Sequence, residues 1–310
     1  MPTVIDIRGL TKRYGRLIAV RRLDLQVHDG EIFGFLGLNG AGKTTTIRIL
    51  LDLLRPTSGA ASVFGRDCQA SGLAVRAAIG YLPGELATYA DMTGRQVLDL
   101  LDRLSAQRAE PGVRRALCDR FELSDRDLDR RLREYSSGMK RKVGLVQAFQ
   151  ADPPLLILDE PTEGLDPLMQ EAFYDLLAEV KGRGHTVFMS SHVLSEVGRV
   201  CDRIGLLREG ELVLAAPVEE VRRLAPRRVS VTFARSVPPP STDGLGPDIT
   251  LVSADGAAHD AGAVSQWRFD VRGALGPLVA RLAAYPVADL QVDEPRLEDV
   301  VIRYYREGGR

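Results

Sequence analysis

Two segments near the start of the chain alternate apolar and polar residues with a period of two, at residues 4–8 (VIDIR) and 23–27 (LDLQV). This alternation is typical of antiparallel strands with one buried face. A continuous apolar segment, residues 32–36, predicts a fully buried strand. After a glycine-rich turn, the apolar residues of segment 44–54 fall on one helical face. Strand, glycine turn and helix in this order predict the beginning of an α/β fold.

The middle of the chain alternates between the two periods. Residues 74–150 are mostly helical in period, which predicts a helical insertion between strands of the core. Apolar segments at 155–158 and 186–189 predict buried strands, and the segment 167–181 between them predicts a helix. Because strands that alternate with helices usually pair in parallel, a parallel sheet with right-handed crossovers is expected.

The pattern changes after residue 224. Residues 235–264 are rich in Pro, Gly, Ala and Ser, and predictable elements lie on both sides of them. Strands are predicted at 229–233, 267–271 and 287–292, with helices at 275–284 and 297–305. We therefore expect one large α/β domain over residues 1–225, with its helical part at about 86–150, and a small α+β domain over residues 226–310.

Composition narrows the function classes. The 310 residues carry 41 Lys plus Arg against 42 Asp plus Glu, so a net charge of −1 implies no bulk attraction to nucleic acid. Three widely spaced cysteines favour neither a disulfide framework nor a zinc cluster, which fits the cytosol. Neither a secretory signal nor an apolar stretch of membrane-spanning length is recognisable.

The segment GLNGAGKT, residues 37–44, satisfies the pattern G-x-x-x-x-G-K-[ST] and lies between a predicted strand and a predicted helix. Glycines let the backbone wrap a polyphosphate with its N–H groups, and the helix N-terminus adds a positive dipole. Lys43 would neutralise the β and γ oxygens, and the Thr44 hydroxyl could bind Mg²⁺. A chance loop of this composition and placement is improbable, so the motif indicates a nucleoside triphosphate site.

A second site element follows the predicted strand LLIL, where Asp159 and Glu160 are adjacent. Asp159 would hold Mg²⁺, and Glu160 would act as general base on the attacking water. Alone, an acidic pair at a strand end is weak; beside a phosphate loop it predicts a hydrolase.

With these motifs in this order, residues 4 to about 224 resemble the ATP-binding cassette of ABC transporters. The resemblance implies a P-loop NTPase fold: a RecA-like core, an antiparallel β subdomain and a helical insertion, followed here by the small α+β domain. It implies that Tyr14 stacks on adenine. The implied ATP-binding residues of the phosphate loop are Gly37, Asn39, Gly40, Ala41, Gly42, Lys43, Thr44 and Thr45.

Three further motifs carry the resemblance. YSSGM, residues 135–139, is similar to the family signature LSGGQ, and Ser136 and Gly138 occupy the positions that reach the γ-phosphate of ATP on the other subunit. Asp166 matches the residue of the D-loop, and His192 matches the switch histidine that orients the water. Helix N-caps are the alternative interpretation of Ser136 and Asp166, and both roles can coexist.

The signature is degenerate, because Ser137 and Met139 replace its Gly and Gln, and a second departure bears on the metal site. The glutamine that senses the γ-phosphate and Mg²⁺ should stand in the segment 79–85, where Gly84 occupies its place and Glu85 follows. Either Glu85 substitutes through a shift of the loop, or water completes the metal shell. Hydrolysis is still expected, because the lysine, metal and base positions are intact.

The resemblance also implies partners. Two chains would pair head to tail around ATP, at the inner face of the cell membrane, and would drive a separate transmembrane permease. The ending LEDVVIRYYREGG resembles the tail of ATPases from bacterial two-component exporters of drugs or antibiotics, which predicts export. The alternative is a non-transport cassette ATPase acting in translation or DNA maintenance. Such proteins usually carry two cassettes or a long coiled coil before the signature, unlike this chain.

Overall fold

A computed structural model describes residues 2–85, 89–110, 112–238, 246–255, 265–294 and 297–301 of the protein. The chain forms two compact units, Met1–Val218 and Glu219–Arg310. The sequence places a domain boundary a few residues later, near 225.

The first unit opens with an antiparallel sheet. Its strands are β1 (Thr3–Tyr14), β2 (Leu17–His28), β4 (Ser58–Val63) and β5 (Arg66–Asp67), in the order β2-β1-β4-β5. Along β2, Leu23, Leu25 and Val27 are buried while the residues between them are exposed. The alternating pattern thus predicts this sheet, although β1 and β2 are each 12 residues long and extend beyond the predicted segments.

A six-stranded sheet forms the centre of the first unit. It contains β3 (Ile32–Leu36), β6 (Ile79–Leu82), β7 (Leu155–Asp159), β8 (Thr186–Ser191), β9 (Arg203–Arg208) and β10 (Glu211–Pro217), in the order β10-β9-β3-β8-β7-β6. The first five of these strands are parallel where they pair, and β10 runs antiparallel to β9. The expected parallel sheet is therefore confirmed, and it brings the carboxyl ends of β3, β7 and β8 side by side.

Nine helices of four or more residues are described up to residue 224. They are α1 (Lys43–Leu50), α2 (Gly72–Arg76), α3 (Gly94–Leu104), α4 (Val113–Arg120), α5 (Asp125–Leu128), α6 (Ser137–Phe149), α7 (Pro167–Gly182), α8 (Leu194–Val200) and α9 (Val218–Leu224). Helices α3 to α6 form the predicted insertion. The prediction that residues 74–150 are mostly helical was wrong at β6, because four residues are too few for either period to show.

The second unit is a four-stranded antiparallel sheet with one helix. Its strands β11 (Arg227–Phe233), β12 (Ile249–Asp255), β13 (Gln266–Val271) and β14 (Val287–Asp293) lie in the order β12-β13-β11-β14, and α10 spans Gly276–Leu282. Strand β12 was not predicted, because it lies in the Pro/Gly/Ala/Ser-rich segment. Residues 297–301 are helical, and the remainder of the predicted helix lies outside the described residues.

Aromatic packing forms the core of this second unit. Trp267 is 1% exposed, and its ring centroid lies 4.2 Å from that of Phe233 and 4.9 Å from that of Tyr285. Such aromatic pairs add to the free energy gained by burial. The unit therefore has a hydrophobic core of its own. Among the described helices of the whole chain, none combines the length and apolar character that crossing a bilayer requires.

Candidate functional site

The phosphate-loop motif connects the end of β3 to the first turn of α1. Lys43 is the first residue of α1, so the free N–H groups of this helix start point out of the loop, where a phosphate would be stabilised. Thr44 and Thr45 follow within the same turn and are partly buried. The sequence-predicted strand, glycine turn and helix are thus observed.

Two glycines of the phosphate loop lie so close to neighbouring strands that no side chain would fit there. Gly42 has φ 110°, and a Cβ at this position would fall far inside van der Waals contact with the carbonyl of Ala19 on β2. A Cβ on Gly37 would lie 2.8 Å from the carbonyl of Leu207 on β9. Only glycine fits such approaches. Both sheets of the first unit therefore touch the loop and fix its path.

Lys43 and Glu160 face each other. The Lys43 ammonium donates to the carbonyl of Gly37 at 2.5 Å and lies 3.1 Å from Glu160 Oε1. Lys43 is 6% exposed, so this cation is held among fixed partners rather than in bulk water. A cation and a carboxylate converge at the end of the phosphate loop.

Asp159 is the last residue of β7 and Glu160 follows it, and a serine on the adjacent strand orients both. Ser190 Oγ donates to Asp159 Oδ1 at 2.6 Å and accepts from the Glu160 amide at 3.0 Å. The parallel register of β7 and β8 places Asp159 opposite Ser190. Glu160 has φ 51°, a left-handed conformation that costs a non-glycine residue about 1–3 kcal/mol.

His192 completes a short chain of polar contacts. Its Nδ1 lies 2.8 Å from Glu160 Oε2, opposite the oxygen that faces Lys43. When Glu160 is ionised, the proton of this bond belongs to His192, because a carboxylate has none to donate. The geometry suits a carboxylate that takes a proton from water while an imidazole holds its position.

The loop after β6 contributes the position where the family has glutamine. A Cβ on Gly84 would lie 3.5 Å from Asp159 Oδ2, so this position borders the carboxylate directly. Tyr81, on β6, is half-buried nearby; burial, with a smaller effect of the Asp159 charge, raises the pKa of Tyr81 to about 12. Thr44, Gly84, Glu85 and Asp159 all line one cleft of about 1100 Å³.

The signature segment lies against the D-loop of its own chain. A Cβ on Gly138 would lie 2.7 Å from the carbonyl of Gly164, which leaves room only for glycine. Ser136 Oγ caps α6 by accepting from the Met139 amide at 3.2 Å. Asp166 Oδ1 likewise caps α7, accepting from the Met169 amide at 3.1 Å. The capping interpretation holds for both residues, and their predicted roles at the other chain's ATP stay predictions.

Tyr14 lies at the end of β1, paired with Leu17 where the two strands turn. Its ring is 47% exposed, and the Lys12 ammonium lies 5.1 Å from the ring centroid. The same strand pair reaches the phosphate loop through Ala19. An exposed ring on this hairpin is available for stacking, and adenine as its ligand stays a prediction.

Two site residues escaped the sequence reasoning. Ser190 has a visible signal, since it is a polar residue directly after the apolar residues 187–189 of β8. Arg141, 7% exposed on α6, donates to backbone carbonyls of three segments around the cleft: the loop after β6, the end of β7 and the segment before α7. Its place in a plainly helical segment gave no signal.

Comparisons with known proteins agree with this geometry. A family model described as ABC transporter matches residues 20–163. The bacitracin transport ATP-binding protein BcrA of Enterococcus faecalis is 36% identical over 72% of this chain and 72% of its own length. A daunorubicin resistance ATP-binding protein of Streptomyces coeruleorubidus is 38% identical over 71% of this chain and 70% of its own length.

Solved structures show the same fold. The ATP-binding subunit of an ABC transporter superposes with a TM-score of 0.66 at 30% identity, covering 72% of this chain and 93% of that one. A dimeric post-hydrolysis cassette bound to ADP and Pi gives a TM-score of 0.63 at 22% identity, covering 69% and 98%. The chain belongs to the ATP-binding cassette family of ABC transporter ATPases.

Proposed function

We propose that this chain hydrolyses ATP to power a separate membrane permease that exports a drug, antibiotic or similar compound. The observation that carries the hydrolytic part is the convergence of Lys43, Glu160 and His192 at the mouth of the phosphate loop. Export is supported by the relatives, whose names refer to bacitracin transport and daunorubicin resistance.

Mg²⁺ fits the oxygen atoms of this site. The Thr44 hydroxyl and the Asp159 carboxylate line one cleft, and hard oxygen donors together with substrate phosphates are what Mg²⁺ prefers. When bound, the ion would neutralise charge on the β and γ oxygens of ATP. Ser190 keeps one Asp159 oxygen occupied and leaves Oδ2 for the cleft.

Three side chains have distinct roles in the proposed hydrolysis. Lys43 and the loop amides hold the phosphates, and Glu160 accepts a proton from the attacking water as the bond to the leaving ADP breaks. His192 holds the Glu160 carboxylate through its second oxygen. Lys43, now within reach of Glu160, would turn to the phosphates when ATP binds, which frees the carboxylate for the water.

Head-to-tail pairing supplies the remaining contacts. Gly138 packs against Gly164 of its own D-loop, and the neighbouring Ser137 lines the cleft. Ser136 is exposed, and in this proposal its hydroxyl meets the ATP of a second chain. Asp166 and its loop would border the same contact. The proposal is a sandwich of two chains with two ATP molecules, closed by binding and opened by hydrolysis.

An apolar cleft of about 920 Å³ is the proposed docking site for the permease. Its lining includes Leu53, Leu73 and Leu104, whose side chains are 59%, 81% and 71% exposed, together with Tyr81 and Pro83 beside the Gly84 loop. Exposed leucines on one cleft mark an interaction surface. Its continuity with the Gly84 loop suits transmission of the nucleotide state to the permease, which would hold the chain at the inner face of the membrane.

The unit beyond residue 225 stays an accessory domain in this proposal, with dimerisation, regulation and passive packing as its open roles.

The soluble alternative, a translation or DNA-maintenance ATPase, predicts turnover without a membrane partner. The test is co-expression and purification of the full chain with a candidate permease, a membrane protein of about six spans taken from a neighbouring gene. Wild-type chain should co-purify and show Mg²⁺-dependent ATPase activity, and Leu104→Glu should lose the partner but keep ATP binding. ATPase activity with no membrane partner would favour the alternative, and no ATP binding would overturn both.

A further inference from the structure

One guanidinium joins three segments of the chain around the cleft. Arg141 Nη1 donates to the carbonyl of Pro83 at 2.9 Å, and Nη2 donates to that of Gly84 at 2.6 Å. Nε donates to the carbonyl of Glu163 at 3.3 Å, and Nη1 also reaches that of Asp159 at 3.4 Å. One side chain therefore connects α6 with the loop after β6, the end of β7 and the segment before α7.

The cost of this arrangement argues against a purely structural role. Arg141 is 7% exposed, and its ion-pair partner, the Glu163 carboxylate, lies 3.8 Å away and is 64% exposed. Burial lowers the pKa of Arg141, because removal from water disfavours the charged form. The charges of Glu163, Asp159 and Glu160 offset part of this effect, but the N–H groups themselves bond to neutral carbonyls. Replacing a buried charge by an apolar side chain of similar volume is often neutral or stabilising, so stability alone does not account for this arginine. Its use here points to a geometric requirement.

That requirement is clearest at Gly84. Glycine has no side chain with which to contact Asp159 or a metal, yet its carbonyl accepts the shortest of the Arg141 bonds. A displacement of this loop therefore moves the Gly84 carbonyl, and the Arg141 side chain bonded to it transmits the movement to α6. The first turn of α6 carries Gly138 and follows Ser136, the two residues proposed to meet the other chain's ATP.

We infer that Arg141 is a positioning residue: it holds the signature segment in register with the chain's own nucleotide site, so that ATP-dependent pairing of two chains requires it. This inference rests on the proposed function, since it presumes pairing. It assigns Arg141 no contact with ATP. The planar guanidinium suits the task because its N–H groups diverge to several carbonyls at once, whereas a lysine ammonium is a single point.

The experiment uses the full chain with Glu160→Gln, so that ATP stays bound. Two quantities are measured for each variant: the ATP affinity of the dilute single chain, and the dissociation constant of the ATP-bound pair by sedimentation. Arg141→Met should leave ATP affinity within about twofold and weaken pairing at least tenfold. Arg141→Lys, which keeps the charge but not the fork, should weaken pairing by an intermediate factor. Lys142→Met removes the same charge from the same helix and should change neither quantity by more than twofold.

The outcomes separate the two proposals. If Glu160→Gln alone fails to pair with ATP, the proposed function fails. If it pairs and the Arg141→Met double variant pairs equally well, the inference about Arg141 is overturned. It is overturned too if Arg141→Lys pairs like its parent, or if either Arg141 variant loses ATP affinity tenfold, because the role would then be charge or support of the phosphate loop.

Discussion

His192 Nδ1 lies 2.8 Å from Glu160 Oε2, while the other oxygen of the same carboxylate lies 3.1 Å from the Lys43 ammonium. Glu160 is thus held between a cation that belongs to the phosphate loop and an imidazole that follows β8. Its two oxygens therefore have different partners: Oε1 faces the phosphate loop through Lys43, and Oε2 faces the segment after β8 through His192.

Glu160→Gln is expected to lower ATP turnover by about 10² to 10⁴, the contribution of a general base, while ATP-dependent pairing persists. Steady-state ATPase assays and sedimentation of the purified chain measure the two effects. Glu163→Gln removes an exposed carboxylate three residues away and should retain turnover within about threefold. Near-normal activity of Glu160→Gln would exclude Glu160 as the base.

His192→Ala should lower turnover by about 10², because its proposed effect is exerted through the Glu160 carboxylate. If this is so, the double variant Glu160→Gln/His192→Ala should be no slower than Glu160→Gln alone, since coupled residues are not additive. His185→Ala is the control, at a histidine that lies 3.6 Å from Asp152 and away from the cleft. If the double variant instead loses turnover by the product of the two single losses, Glu160 and His192 have independent roles.

Gly42→Ala should lower the free energy of unfolding by about 3 kcal/mol and abolish ATP binding, because the new Cβ collides with the Ala19 carbonyl in a left-handed backbone. Gly40→Ala is the matched control: φ is 83° there as well, but a Cβ would meet nothing within 4 Å. It should cost only about 1 kcal/mol. Urea unfolding distinguishes the two variants, and equal losses of stability would refute a steric role for the Ala19 carbonyl. Nucleotide titration compares Gly42→Ala with the wild-type chain.

Gly84→Gln should fold normally, since a Cβ there makes ordinary contact with Asp159 and the backbone φ is not left-handed. An amide oxygen beside Asp159 is expected to lower the Mg²⁺ concentration for half-maximal activity by about tenfold, as a shell ligand does. Gly84→Ala adds the Cβ without the amide and should leave this concentration unchanged. If both variants lower the Mg²⁺ concentration for half-maximal activity equally, the effect comes from the backbone and not from the amide.

Tyr81 should make stability depend on alkaline pH. Its pKa rises from 10.0 to about 12 on folding, so the stabilisation is complete below pH 10 and is lost as pH rises towards 12. The fall in Tm between pH 8 and pH 11 is expected to be about 2 °C smaller in Tyr81→Phe than in wild type. Tyr14→Phe, which alters an exposed ring, should follow wild type; if Tyr81→Phe does so too, the pKa of Tyr81 does not limit alkaline stability.

Local pattern was enough to predict the elements of the phosphate loop. Residues 32–36 and the helix after Gly42 could be predicted because apolar period and glycine placement are local properties. The contact of Ala19 with Gly42 could not, since it depends on how two sheets pack. Strand β6 has only four residues and β12 lies in a Pro/Gly-rich segment, so neither shows a period.

Some residues of the site could likewise be predicted from local sequence, and others could not. Lys43, Asp159 and Glu160 stand in motifs that sequence shows, and the structure brings them together. The orientation of both acidic residues by Ser190 follows from strand register, and the four carbonyls around Arg141 come from segments up to 58 positions away along the chain. Such contacts are visible only once the fold is known.

Trp267 is the one tryptophan of the sequence, and it lies in the core of the unit that begins at Glu219. Intrinsic fluorescence excited at the indole band therefore reports melting of that unit, with the nucleotide-binding unit spectroscopically silent. Circular dichroism follows both units at once. Recording the two signals during one denaturant titration separates the unfolding of the second unit from that of the first without any label.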